Sequence, residues 1–265
     1  MCRGTKNCGP RCIYNFKEDA LWPSHPRSHE AYMRDSGRHV RLCRLPDWHL
    51  SCMLCDIMHI ALLGIMQWAA GGILWELCLD GQWPVPASGP WKVRMNHQLS
   101  CAYASFNAWL RRANLESSQP IFTCNRLCME NTDSWPYIKA TAANTWKVSC
   151  WLAELCRSIA DRDLGNASAQ LRAAMMWGFV HVFYICRQAG MWLSDANAIE
   201  IDKGRRASLL AYAALSSNAA ATVPPTARYP MKPKHHMWDH AQRHATRSRL
   251  NPAWRWAFAD EDFVR

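Results

Sequence analysis

Acidic residues are in short supply. The chain of 265 residues has 21 Asp and Glu against 31 Lys and Arg, a formal net charge of +10. Glycine-rich phosphate loops are absent. There is no G-x-x-x-x-G-K, no G-x-G-x-x-G and no G-x-S-x-G, so P-loop, dinucleotide and nucleophile-elbow chemistry have no signature here. Alternating strand patterns are weak throughout and no internal repeat occurs, which excludes sandwiches, barrels and solenoids and leaves a mainly α class. Met1 is followed by Cys2 and Arg3 rather than an apolar leader core, so the 13 cysteines are expected to be reduced thiols of an intracellular protein. Many of them lie in apolar runs (Cys52, Cys55, Cys78, Cys150, Cys156, Cys186), where they read as small buried hydrophobes. One run, 60–79, has the length of a membrane span, but Gln67 and Glu76 interrupt it, Gly71-Gly72 divides it and no second span follows, so no membrane association is expected.

Apolar and aromatic material is plentiful: 49% of residues are hydrophobic and 15 are Trp, enough for a sizeable core. The charge excess sits at the ends. Residues 1–48 carry nine Lys or Arg and five Asp or Glu, and residues 228–265 carry eight and four. Basic ends point to an anionic partner, with DNA the first expectation.

The chain divides into an irregular basic arm (1–48), a helical domain (49–216), a linker (217–227) and a basic, aromatic C-terminal segment (228–265). Within the helical domain the 3.6-residue period predicts helices over 50–79, 97–113, 140–163, 167–189 and 195–215. Gly71-Gly72 is expected to break the first, and Ser194-Asp195 to cap the last. Short connections between the last three predict antiparallel packing in a helical bundle.

Asp56 and His59 stand three residues apart in the most apolar run, on one face of a helix. Burying them without partners would cost several kcal/mol, so a metal, a hydrogen-bond network or a polar cleft is expected around them. Cys52-Met-Leu-Cys55 has the spacing of a zinc half-site but lacks a second half. His236, His240 and His244 recur every four residues, and His59, His236 and His240 are the candidate metal ligands, with zinc the candidate ion. Asp260-Glu261-Asp262 offers oxygen ligands suited to Mg²⁺. Lys232, Lys234, Arg243, Arg247 and Arg249 could line a phosphate backbone, with Trp238 stacking on a base.

Asp56-Ile-Met-His59 followed by Leu62-Leu63-Gly64 resembles a D-x-x-H block of CACTA-type cut-and-paste transposases and of transposon-derived proteins of protists. Lys139 to Trp146, the His236/His240 pair and the aromatic run ending in Glu261 are similar to later blocks of that family, in the same order. The resemblance implies an RNase H-like fold with a helical insertion, a nuclear location, and acidic residues holding Mg²⁺ for DNA strand transfer, Glu261 being the last acid and Asp56 part of the D-x-x-H element. The family's first two catalytic aspartates precede that element on strands. Here only Glu18, Asp19, Glu30, Asp35 and Asp47 precede it, in irregular sequence. The expectation is therefore a truncated transposase-derived protein with residual DNA affinity and no independent catalysis. Two alternatives stand beside it: an intact Mg²⁺-dependent nuclease, and a helical interaction module with a structural metal.

Overall fold

The structure is a computed structural model that describes residues 15–17, 20, 28–35, 55–131, 134–222 and 227–255. Seven α-helices account for most of it: α1 (His29–Asp35), α2 (Met66–Leu79), α3 (Trp91–Arg112), α4 (Ala142–Arg162), α5 (Ala167–Gln188), α6 (Asp195–Ala221) and α7 (Pro233–Ser248). A π-helical segment, Met58–Ile65, leads into α2, and a 3₁₀ turn, Pro252–Arg255, follows α7. The fold is a mainly α bundle. No strand occurs among the described residues, where the one isolated bridge pairs Trp192 with Leu250. The sheet that an RNase H-like remnant would require has no counterpart among them.

Three helices start where local chemistry dictates. Thr141, Asn166 and Ser194 cap α4, α5 and α6, each side-chain oxygen accepting a backbone N–H three residues on, at 3.3, 3.0 and 3.1 Å. α5 and α6 pack closest of all. A Cβ on Gly178 would sit 2.5 Å from the Gly204 carbonyl oxygen, so only glycine permits this crossing.

Several expectations are corrected. α2 runs unbroken through Gly71 and Gly72, whose missing side chains instead admit the backbone of Tyr137 and the ring of Tyr229. The break lies earlier, at Leu63 (φ −98°, ψ 25°) and Gly64 (φ −149°, ψ −108°). α3 begins at Trp91 rather than residue 97, because Trp91 packs on Trp75 at 5.5 Å and Met95 is buried. α6 continues to Ala221, consuming the first half of the expected linker: three alanines end it, and alanine is the best helix former. The supposed irregular arm contains α1, whose first turn Ser28 caps at 3.1 Å, and Phe16, which is buried in the core.

The C-terminal segment belongs to the bundle. Trp238 stacks on Phe183, 5.8 Å between centroids, and is fully buried. Past α7, Asn251 is buried and its amide nitrogen lies 2.8–3.1 Å from the carbonyls of Cys186, Ala189 and Gly190, clasping the end of α5. The run of membrane-span length, Met58–Leu79, packs inside the bundle, 78% of its apolar 18-residue window being buried by protein.

Candidate functional site

The Asp56–His59 pair forms, but not in the core. Asp56 Oδ1 accepts the Met58 N–H at 2.8 Å and Oδ2 accepts from His59 Nδ1 at 2.5 Å, with the imidazole 51% and the carboxylate 24% exposed. The pair opens the π segment at the surface. Apolar neighbours in sequence misplaced it: Met58 and Ile60 flank His59 yet point inward.

Behind the pair, the kink at Leu63–Gly64 frees backbone carbonyls. Lys234 of α7 supplies what they lack, its Nζ donating to the carbonyls of His59 at 2.8 Å and Leu63 at 3.0 Å. Lys234, expected on a phosphate backbone, thus ties α7 to the π segment. Glu261 lies outside the described residues, as do Cys52 and the acidic residues Glu18, Asp19 and Asp47.

α7 is divided between two faces. His235, Trp238, Asp239, Gln242 and Ala245 are buried, while Lys232, Met237, His240, His244 and Arg247 are exposed. Trp238 is therefore a core residue with no face open to a base, which corrects its expected stacking role. Lys232 lies over the Trp68 ring at 5.0 Å and remains exposed. Arg243 binds Asp239 at 3.1 Å, and Arg249, in a left-handed C-cap (φ 61°), pairs with Asp195 at 2.7 Å. His236 and His240 sit 6.4 Å apart, ring to ring. Among the described residues no three His, Cys, Asp or Glu side chains converge on one ion position, the candidate ligands His59, His236 and His240 included.

Two buried charge networks were not anticipated. In one, Glu76 receives Arg172 at 3.2 Å, Arg228 at 3.2 Å and the Tyr229 hydroxyl at 2.8 Å, and Arg172 also reaches Asp80 at 2.8 Å. In the other, fully buried Arg205 joins Asp239 to Asp202, and Arg243 completes Asp239's coordination. Burial alone would raise the Asp202 carboxyl, but the guanidinium groups of Arg205 and Arg206 outweigh it and hold the carboxyl below its ordinary range. Both networks have every anion matched to cations, the condition for tolerating charge inside a fold. The only advance sign of the first was Glu76 within the apolar run.

Burial pushes the thiols of Cys78, Cys150, Cys156 and Cys186 up to about 12, leaving them protonated; Cys78, Cys156 and Cys186 are buried as expected, while Cys55 and Cys150 are half-buried. His235 is depressed to about 4 by burial. Its Nδ1 meets the Lys232 N–H at 3.0 Å and its Nε2 has no partner.

What fold and site define together is a mainly α-helical protein with a surface acid–imidazole pair, a half-exposed basic helix and internally neutralised charge networks. Comparison with protein-family models, with curated proteins and with solved structures finds no match.

Proposed function

We propose that this chain is a transposase-derived, non-catalytic DNA-binding protein that meets the phosphate backbone with the outer face of α7. The division of α7 carries this reading. Its carboxylate, Asp239, is turned inward and neutralised by Arg205 and Arg243. Its outer face presents Lys232 and Arg247 at the two ends, with His240 and His244 between them, and no acid. The 16 residues from Lys232 to Arg247 span about 22 Å, roughly six steps of a duplex. A net charge of +10 favours encounter with a polyanion over the whole surface. Asp56 supports the non-catalytic part, since both its oxygens are engaged locally, by the Met58 N–H and by His59.

Fluorescence anisotropy of a labelled duplex tests the reading. With about three phosphates contacted, affinity should fall some tens-fold between about 50 and 200 mM salt. The Lys232→Ala/Arg247→Ala double variant should reduce the salt slope by about two. Binding that is absent at low salt, or insensitive to salt, overturns it. Supercoiled DNA incubated with Mg²⁺ or Mn²⁺ should stay intact; nicking that Glu261→Gln abolishes would make the protein a nuclease instead.

A further inference from the structure

The sequence offered no reason to look at the corner where α5 ends, α6 begins and α7 stops. There an open groove of about 430 Å³ runs between α6 and α7, lined by Ala198, Ile199, Asp202, Lys203, Arg206, Thr246 and Arg249. The antiparallel bridge sets Trp192 beside Leu250, the residue after Arg249, and the Leu193 N–H donates to the Arg249 carbonyl at 2.7 Å. Trp192 is 64% exposed, and Trp254, three residues past the Asn251 clasp, is 65% exposed. Met191 and Ile199 add exposed apolar surface to the same corner. Trp75, Trp109, Trp151 and Trp238 are buried, whereas Trp192 and Trp254 are the most exposed of the described tryptophans, which costs hydrophobic stabilisation.

The carboxylates facing these cations are their own partners in partly exposed ion pairs, which a phosphate has to displace at small cost. Glu200 holds Lys203 and, at 3.0 Å, His181, while Asp202 is shared between Arg205 and Arg206. Only Asp195, on Arg249, is almost wholly in solvent, and an exposed pair of that kind exchanges readily for a phosphate. Arg247 extends the positive rim along α7.

We propose that this groove receives a single-stranded nucleic acid, its phosphates along Lys203, Arg206 and Arg249 and its unpaired bases on Trp192 and Trp254. Exposed aromatic platforms beside a cationic groove suit splayed bases, which a duplex keeps stacked inside. The proposal rests on the reading of the protein as a DNA binder and names the form of DNA that it holds.

Anisotropy with the full chain, using a labelled oligothymidine of about 20 nucleotides and a mixed-sequence duplex of equal length, decides it. The single strand should bind at least tenfold more tightly. Trp192→Ala should weaken it roughly fivefold to a hundredfold and leave the duplex almost unchanged, the range that loss of one stacked base implies. Lys203→Ala should lower the salt slope for the single strand by about one. Both side chains are well exposed, and unchanged helical circular dichroism verifies that the variants fold. Duplex binding as tight as single-strand binding, or a Trp192→Ala variant of undiminished affinity, overturns the inference while the DNA-binding reading stands. Absence of binding to either probe overturns both. A dimer in sedimentation that Trp192→Ala dissolves, without effect on the oligothymidine, makes the corner a contact between copies and also overturns it.

Discussion

Asp56 and Asp239 put the same side chain to opposite uses. Asp56 sits at the surface, caps the first turn of the π segment and orients one imidazole. Asp239 has no exposed area and holds two guanidinium groups, one of them, Arg205, itself buried. Water supports the first pair, so removing it changes little. Nothing but protein supports the second, so each member depends on the others. Charge that matters to the fold lies between helices, and charge free for partners lies on the faces the helices turn outward.

Asp239→Ala is the severest way to break the contrast. It leaves buried Arg205 with Asp202 as its one carboxylate and Arg243 without its own, and should lower unfolding free energy by roughly 3–5 kcal/mol in urea titration. Acidification comes next, through His235 on the buried face of α7. Its folded value of about 4 lies below the ordinary 6.5, so the unfolded chain takes up a proton that the folded one refuses. Stability should be full above pH 6.5 and decline toward pH 4 by on the order of 3 kcal/mol. His235→Phe should flatten that slope in melts recorded across the range. Asp202 acts in a different window: depressed when folded, its contribution persists above its unfolded value near 4 and is lost only at lower pH. Lys234→Ala leaves the carbonyls of His59 and Leu63 without their donor and should cost about 1–3 kcal/mol. Asp56→Ala should cost roughly 1 kcal/mol or less, the scale of an exposed pair and a single cap. Equal losses from Asp56→Ala and Asp239→Ala would erase the distinction.

What the sequence discloses and what it hides follow from range. α4, α5 and α6 were legible because period and cap act within a turn or two: Ser194 caps Asn197, three residues away. The Asp56–His59 contact was legible for the same reason, spacing alone bringing the two together. Its exposure was not, because an apolar run does not reveal which way one residue in it faces. Arg172 with Glu76, 96 positions apart, and Arg205 with Asp239, 34 apart, have no local signature. Trp238 misled in the other direction. Its neighbours are polar, and only the packing of α7 against Phe179 and Phe183 makes it core. The groove lined by Lys203, Arg206 and Arg249 joins two successive helices, and which of their residues meet there is set by packing with no local signature.

The Asn251 clasp ties the fate of α5 to residues sixty positions downstream. A protease that cleaved just beyond α7 would excise the one amide that closes three carbonyls, and fraying would start from the last turn of α5 rather than from the cut itself. Damage at the tail would thus be transmitted inward, giving the protein a built-in sensitivity to trimming that its large core would otherwise conceal.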